Sequence, residues 1–428
     1  MLSDIPGKRL ENEIRVRNIN VSHALMEAIG HRLENVESTE GKVTILFSEA
    51  FNSKMRALSV GRSDEPGHIT EASFYRRPEG LRGIDPNADR PAFFLGMDSI
   101  GKGVTFGGVR LLCAGNIAEA RRDAKRLSEA MTHKLSMIGE PYGGSKMVVL
   151  APETGKSETF LHKIGQVIEA LNGMLIAAID FGFEPQDALK IRERTRFILG
   201  FDGPESLGAS GVTTALGAFE GMGRILTEAY GSPQIAGRSF AIQGVGSVGG
   251  KLAELILESK GTIFITDTDE KKLGRFRGIG NVTVTEPGDI LLMGADVLCP
   301  SGPACVINPT TIEILKSRVI AGVANCVLED ELRDDRILRQ RGILFAPDFV
   351  LNAGGVMQGI EEFKGNGLKD AIDKLPIIPK NLDHVFRKAK RDGSGTMMAA
   401  KSIAMAKRTT MERTQARTRR MGPSASDF

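Results

Sequence analysis

A glycine-rich segment between two apolar runs places the firmest constraint on the fold of this 428-residue chain. Residues 239–244 are typical of a short strand, the glycines of 244–249 follow it directly, and residues 261–267 predict the next strand. Between them, apolar residues at helical spacing indicate a helix. This order is typical of a Rossmann sheet, in which glycines let the backbone approach a pyrophosphate at a helix N-terminus.

The segment predicts a dinucleotide site, with a glycine-rich turn in another kind of βαβ unit as the alternative. The residues expected to contact the dinucleotide here are Gly244, Gly246, Ser247, Val248 and Gly249. Asp267 ends the second strand, where a carboxylate can accept hydrogen bonds from a ribose diol and repel a 2′-phosphate. We therefore predict NAD rather than NADP, although the nearby Lys271 and Lys272 weaken that preference.

The length and the pattern of apolar runs predict an α/β protein of two domains with a cleft between them, because one ordinary core rarely serves so long a chain. Further apolar runs after residue 294 suit successive strands of the same doubly wound sheet. We predict the Rossmann domain over residues 206–350. The other α/β domain is expected over residues 1–205, completed by C-terminal helices within 351–428.

Composition excludes several classes of protein. The formal charge of +3 is too small to indicate a nucleic-acid partner, and no run of 18 apolar residues predicts a membrane span. Residues 1–17 are charged and lack the apolar stretch of a secretory signal. Four cysteines without metal-ligand spacing predict no metal site and a reducing, cytoplasmic setting. Cys299 and Cys305 lie six apart and leave a zinc or disulfide alternative open.

Two lysines upstream of the glycines stand in apolar or glycine-rich surroundings. Lys134 falls on the apolar face of a helix predicted over residues 117–138, and Lys146 follows a pair of glycines. A lysine in an apolar stripe must either extend to solvent or find an anion, and we favour a lysine that faces a cleft. Asp180 ends the apolar run of residues 172–182 and adds a carboxylate.

Such a set matches what the oxidative deamination of an amino acid requires. The substrate carboxylate needs a cation, a base of lowered pKa must activate water, and a carboxylate must carry protons to and from the nitrogen. A desolvated lysine beside another lysine has a depressed pKa, which suits a general base. The dinucleotide would accept the hydride.

From about Gly101 to about Met398 the chain resembles the glutamate/leucine/phenylalanine/valine dehydrogenase superfamily, and within it the leucine/phenylalanine/valine branch. The motifs that carry the resemblance occur in the family's order and close to its spacing. They are residues 107–110, 131–134 and 143–146, the Asp180 segment, the glycine fingerprint and residues 346–355. The first hundred residues resemble the family poorly.

The resemblance implies a role for each matching residue. Lys134 would bind the substrate α-carboxylate, helped by Asn352 at the opening of its helix. Lys146 would be the base that activates water, and Asp180 would relay protons to the amino group. The nucleotide domain would close on the substrate domain to exclude water.

The remaining matches concern the pocket, the cofactor and assembly. Gly107 and Gly108 would line the substrate pocket. Thr214 and Asn325 match positions that contact the cofactor in the family. Since the family assembles through its first domain, residues 1–205 are expected to be a substrate-binding and oligomerisation domain that forms a homo-oligomer.

Two departures from the family bear on the substrate. Glutamate-specific members have a lysine where this chain has Phe106, and a serine where it has Gly359. Both anchors for a side-chain carboxylate are therefore missing, and burying a carboxylate without a partner is costly. An apolar side chain is expected. Gly359 adds room for a large one and Phe106 takes room away, so the two departures leave its size open.

The sequence therefore predicts an NAD-dependent enzyme that reversibly deaminates an L-amino acid with a branched or aromatic side chain to its 2-keto acid and ammonia. One alternative is the same fold acting on a specialised biosynthetic amino or keto acid. The other is a non-catalytic homologue that binds a nucleotide, against which the retention of Lys134, Lys146 and Asp180 argues.

Overall fold

The structure is a computed structural model. It describes residues 42–47, 71–75, 92–98, 104–112, 117–150, 155–171 and 173–421. Cys113 and most of the first hundred residues, which match the family poorly, lie outside the described residues.

The first sheet is a mixed sheet. Its described strands are β1 (Lys42–Phe47), β2 (Glu71–Tyr75), β3 (Ala92–Met97), β4 (Thr105–Leu112), β5 (Gly143–Leu150), β6 (Leu175–Ile179) and β7 (Ile198–Leu199). They lie in the order β2-β1-β3-β5-β4-β6-β7. The pairs β1–β2 and β3–β5 are antiparallel and the other neighbours are parallel. The central strand β4 therefore has a parallel neighbour on each side.

Helices α1 (Ile117–Met137), α2 (Glu158–Ala170) and α3 (Pro185–Arg192) accompany this sheet. The apolar face of α1 carries two small residues, Ala120 and Ala124, which are fully buried against Phe94 and Val148. Small residues on a helix let its backbone come close to the sheet. The sequence prediction of a helix over residues 117–138 matches α1 to within one residue at its end.

Gly144 in β5 shows how close that approach is. A Cβ atom at this position would lie 2.1 Å from the backbone nitrogen of Thr132 and 2.4 Å from the carbonyl oxygen of Ser128, both in α1. The Gly144 amide also donates a hydrogen bond of 3.1 Å to the Thr132 hydroxyl. Glycine is therefore required here by packing of the strand against the helix.

The second sheet is entirely parallel. Its strands are β8 (Ser239–Gln243), β9 (Thr262–Thr266), β10 (Val282–Val284), β11 (Val297–Pro300), β12 (Val319–Ile320) and β13 (Leu344–Phe345). Their order, β10-β9-β8-β11-β12-β13, runs outward in both directions from β8 and β11 and is the Rossmann order. The prediction of a doubly wound sheet built on the glycine segment is confirmed.

Helices cover this sheet and continue to the end of the described chain. They are α4 (Gly211–Tyr230), α5 (Ser247–Glu258), α6 (Glu270–Gly274), α7 (Pro309–Ile314), α8 (Glu331–Gln340), α9 (Asp348–Leu351), α10 (Gly354–Phe363), α11 (Leu368–Asp373), α12 (Ile377–Asp392) and α13 (Thr396–Met421). Their apolar faces join the strands in one large core that includes Phe240, Ile263, Val297 and Leu382.

The chain forms two compact units. The first comprises Met1–Leu135, Glu140–Ala209 and Glu362–Asn366, and the second comprises Ser136–Gly139, Ser210–Glu361 and Gly367–Phe428. The C-terminal helices were expected to complete the first domain, but most of them belong to the second unit. The reason is packing, because Ile378, Leu382 and Phe386 of α12 are buried in the core of the Rossmann sheet.

In the part of the chain that the structure describes, no helix combines the length and the apolar character needed to cross a bilayer.

Replacing Gly144 by alanine is expected to lower the free energy of unfolding by about 1–3 kcal/mol, because the added methyl group overlaps the backbone of α1. The matched control is Gly274→Ala at the end of α6, where nothing lies within 4 Å of the added atom. Urea denaturation followed by circular dichroism measures both variants. Equal midpoints for the two variants would contradict the packing of β5 on α1.

Candidate functional site

Lys146 and Asp180 form an ion pair between neighbouring segments of the first sheet. The Lys146 Nζ lies 2.6 Å from the Asp180 Oδ2, and only 5% of the lysine side chain is exposed. Lys146 stands inside β5, and Asp180 directly follows β6. The two strands flank β4, so the pair spans that central strand. The structure thus brings together the two residues that the sequence analysis named as catalytic.

Gly108 of β4 makes room for this pair. It lies opposite Lys146 on one side and opposite Ala178 on the other. A Cβ atom at residue 108 would lie 2.7 Å from the Lys146 Nζ and 3.0 Å from the Cβ of Asp180. At Gly107 a Cβ atom would instead overlap the backbone of Ser145. Gly108 therefore borders the ion pair directly, whereas Gly107 is required by the pairing of β4 with β5.

A second cation acts on the same carboxylate. The Arg110 Nε lies 3.1 Å from the Asp180 Oδ2, the oxygen that also accepts from Lys146. Burial of Asp180 opposes ionisation, but Lys146 and Arg110 together hold the pKa of this carboxyl well below its usual range. The Asp180 carboxylate also stabilises the charged ammonium of Lys146, and the proximity of a second lysine stays a prediction.

Lys134 lies in the last turn of α1 and is buried, with 7% of the residue exposed. It therefore does not extend into solvent, which was the alternative reading of a lysine in an apolar stripe. A cation in the last turn of a helix is stabilised by the helix dipole. The binding of a substrate carboxylate by Lys134 stays a prediction.

Phe106 packs in a cluster of aromatic rings. Its ring centroid lies 4.9 Å from that of Tyr142 and 5.2 Å from that of Phe363, which it meets edge to face. Phe106 and Tyr142 are almost completely buried. Where glutamate-specific family members have a cation, this chain therefore has an apolar ring held by two others. Gly359, the second departure, is a half-buried residue of α10.

In the second unit, the glycine segment links β8 to α5 in a conformation that needs glycine. Gly244 has a φ of +96°, which other residues rarely adopt. A Cβ atom at Gly249 would lie 2.0 Å from the Gly244 carbonyl oxygen, whereas nothing lies within 4 Å of the corresponding position at Gly246. Gly246 caps α5, so the open face of the loop lies beside the amides of Ser247 and Val248 in the first turn.

Asp267 is tied to this loop. Its Oδ2 accepts a hydrogen bond of 2.9 Å from the Val245 amide, and its Oδ1 accepts one of 2.9 Å from the Asp269 amide. The Lys272 Nζ lies 3.8 Å from the Asp267 Oδ1. The carboxylate at the end of β9 is therefore oriented by the glycine segment itself, and Lys272 partly balances its charge.

Asn325 and Asn352 lie together, although the sequence analysis assigned one to the cofactor and the other to the substrate. The Asn352 Nδ2 donates to the Asn325 Oδ1 and to the Val323 carbonyl, each at 3.1 Å. Among the described residues its buried Oδ1 has no hydrogen-bond partner. The role of Asn352 toward a substrate carboxylate stays a prediction. Asn352 also ends the short helix α9, which was not predicted, and does not open α10.

Thr214 lies in the first turn of α4, where its hydroxyl donates 2.8 Å to the Ser210 carbonyl. The glycine pair at the start of α10 packs on this turn. A Cβ atom at Gly354 would lie 2.3 Å from the Thr213 carbonyl, and one at Gly355 would lie 2.5 Å from the Thr214 hydroxyl. These glycines therefore set the position of Thr214 through packing, which sequence spacing alone does not reveal.

Among the described residues, potential metal ligands come together at Glu158, His162 and Glu193. The Lys190 ammonium lies 3.0 Å from Glu193 and 3.5 Å from Glu158. These carboxylates thus have a cationic partner within the chain, and the cluster is a surface ion-pair network. The described cysteines are free thiols, and burial raises the pKa of Cys299 to about 12, which makes it unreactive.

Two family models match the chain. Residues 99–196 match the dimerisation domain of Glu/Leu/Phe/Val dehydrogenases, and residues 265–415 match the Glutamate/Leucine/Phenylalanine/Valine dehydrogenase model. The first range contains Lys134, Lys146 and Asp180, and the second contains Asn325 and Asn352. The glycine segment lies between the two ranges.

Similar proteins of known activity include a phenylalanine dehydrogenase of Lysinibacillus sphaericus, 35% identical over 70% of this chain and 80% of the relative. A leucine dehydrogenase of Thermoactinomyces intermedius is 33% identical over 73% of this chain and 86% of its own length. Among solved structures, the L-tryptophan dehydrogenase of Nostoc punctiforme has a TM-score of 0.63 at 30% identity. That match covers 76% of this chain and 94% of the other.

Replacing Asp180 by asparagine is expected to reduce the acid sensitivity of the fold. Because folding lowers the pKa of Asp180, its ion pairs stabilise the protein fully above the unfolded pKa of about 4, and this stabilisation is lost as the pH falls below that value. Between about pH 5 and about pH 3 the wild type should lose roughly 1 kcal/mol more stability than the variant.

Thermal unfolding at a series of pH values measures this difference. The control is Asp373→Asn, which removes a carboxylate whose side chain is 57% exposed and should leave the pH dependence of the wild type unchanged. If Asp180→Asn and the wild type lose stability in parallel, the buried ion pair does not hold the carboxyl ionised.

Proposed function

Because the chain belongs to the glutamate/leucine/phenylalanine/valine dehydrogenase family and is an oxidoreductase that acts on amino acids, we propose that it reversibly deaminates an L-amino acid with an apolar side chain. The products are the 2-keto acid and ammonia. The observation that carries the proposal is the buried ion pair of Lys146 and Asp180 beside Gly108, on the first sheet with the apolar Phe106.

The proposed reaction removes a hydride from the α-carbon and a proton from the nitrogen, and water then replaces the nitrogen. Bound nicotinamide dinucleotide supplies the hydride acceptor. Lys134 binds the substrate carboxylate, Lys146 takes a proton from the attacking water, and Asp180 exchanges protons with the nitrogen. Because Asp180 stabilises the ammonium of Lys146, the oxidative direction requires that this proton leave first, and it should be favoured by alkaline pH.

The preference for an apolar substrate rests on the surroundings of Phe106. A side-chain carboxylate next to the rings of Phe106, Tyr142 and Phe363 would lose hydration, and none of these rings can pair with its charge. Branched and aromatic side chains instead gain from burial. The similar phenylalanine, leucine and tryptophan dehydrogenases support this class of substrate.

The family uses nicotinamide dinucleotides, and we propose NAD for this chain. The glycine segment fits a pyrophosphate, because Gly246 leaves open space beside the first turn of α5. The oriented carboxylate of Asp267 favours a free ribose diol over a 2′-phosphate. Lys272 weakens but does not remove that preference, since it lies 3.8 Å away and is half exposed.

We also propose that the chain forms a homo-oligomer through its first domain, because residues 99–196 match a dimerisation domain. In this proposal the first domain binds the substrate and the Rossmann domain binds the dinucleotide. Sedimentation of the purified protein measures the assembly.

A panel of 2-keto acids, assayed with ammonia and NADH, tests the proposed function. Branched and aromatic keto acids should be reduced, 2-oxoglutarate should be reduced at least about tenfold less efficiently, and NADPH should be the poorer cofactor. Turnover of 2-oxoglutarate alone would overturn the apolar pocket. If no keto acid in the panel is reduced while NADH still binds, the substrate is a specialised one outside the panel.

Replacing Lys146 by alanine is expected to lower kcat by about 10²–10⁴, because the base that activates water is lost. NADH binding, measured by fluorescence titration, should be unchanged. The matched control is Lys156→Ala, which removes a partly exposed lysine paired with Asp187 and should keep full activity. Comparable kcat values for the two variants would exclude Lys146 as the base.

A further inference from the structure

Arg110 lies beside the proposed catalytic pair of Lys146 and Asp180, and no role was predicted for it from the sequence. Its Nε lies 3.1 Å from the Asp180 Oδ2, and one terminal nitrogen lies 3.6 Å from the Asp123 Oδ2 in α1. Only 12% of the arginine side chain and 11% of the Asp123 side chain are exposed. Arg110 therefore connects the proposed proton-relay carboxylate to the helix that carries Lys134.

The geometry of β4 explains why arginine can reach this carboxylate. Residues two apart on a strand point to the same face, so Arg110 shares a face with Gly108. Gly108 has no side chain, and the space that it leaves is where Lys146 meets Asp180. Arg110 approaches the same oxygen from the next position along that face. Within residues 107–110, Gly108 thus leaves space beside the Asp180 carboxylate, and Arg110 places a positive charge next to it.

The two cations on Asp180 differ in chemistry. Lys146 must gain and lose a proton if it acts as a base, whereas the guanidinium of Arg110 stays charged throughout. When Lys146 is neutral, Asp180 loses the charge of its closer partner. Arg110 is then the cation that still holds the carboxylate oxygen in place.

We infer that Arg110 is a positioning residue for the dehydrogenase reaction, holding Asp180 ionised and oriented while Lys146 exchanges its proton. This inference rests on the proposed function. Among the described residues, the charged side chains that pair with Asp180 include Lys146 from β5 and Arg110 from β4. Arg110 also pairs with Asp123 of α1, and a terminal nitrogen of Arg126 lies 3.3 Å from the same Asp123 carboxylate.

The test is the pH dependence of kcat for amino-acid oxidation by the purified full chain with NAD. In Arg110→Gln the acidic limb should move to higher pH by about one unit, because a cation that opposes protonation of both Lys146 and Asp180 is lost. Arg110→Lys restores the charge and should bring the limb back at least halfway. Arg126→Gln makes the same chemical change one ion pair farther away and should leave the limb unchanged.

A purely structural role for Arg110 would lower the thermal midpoint or raise KM without moving the limb, and that result would overturn the inference. If Arg110→Gln does not fold, Arg110→Met replaces it, since it removes the charge and keeps much of the side-chain volume. The limb should then move in the same direction, and an unmoved limb overturns the inference. A wild type that oxidises no amino acid would overturn the proposed function and the inference with it.

Discussion

The ion pair of Lys146 and Asp180 is the interaction on which the chemistry of the first unit depends. Removing each charge from water costs several kcal/mol, and only close contact with an opposite charge offsets that cost. The 2.6 Å distance is possible because residue 108 is glycine, and a single methyl group there would stand 2.7 Å from the lysine nitrogen. The charge pair and the glycine beside it therefore form one constraint on the sequence of β4.

The contact between the first sheet and α1 also depends on the absence of side chains at glycines. Gly144 in β5 and Gly96 in β3 approach the backbone of α1 so closely that a Cβ atom at either position would overlap a carbonyl or an amide. This contact fixes β5 relative to the helix that carries Lys134 and Asp123. Gly144 and Gly96 therefore help to position these two charged side chains relative to the first sheet.

Local patterns predicted the Rossmann sheet well, because strand, glycine turn and helix follow one another within thirty residues. The roles of Lys146 and Asp180 came from family resemblance, but their pairing was not predicted, because the two segments are 34 residues apart and β4 lies between them. Arg110 was missed because its partner is 70 residues away, although its two-residue offset from Gly108 placed it on the same strand face. The contact of Asn352 with Asn325 and the packing of α12 on the Rossmann core likewise depend on tertiary structure.

Asp267 connects cofactor choice to the shape of the glycine loop. One oxygen of its carboxylate accepts from the Val245 amide inside the loop, and the other accepts from the Asp269 amide just after β9. A neutral residue there would remove the repulsion of a 2′-phosphate, but a side chain without acceptors would also leave the Val245 amide unpaired, at a cost of about 1–3 kcal/mol if it stays buried. Cofactor preference and loop geometry are therefore coupled. Asparagine would lose the charge and keep one acceptor for the Val245 amide, but its Nδ2 would then face the Asp269 amide, so even this substitution disturbs the turn after β9.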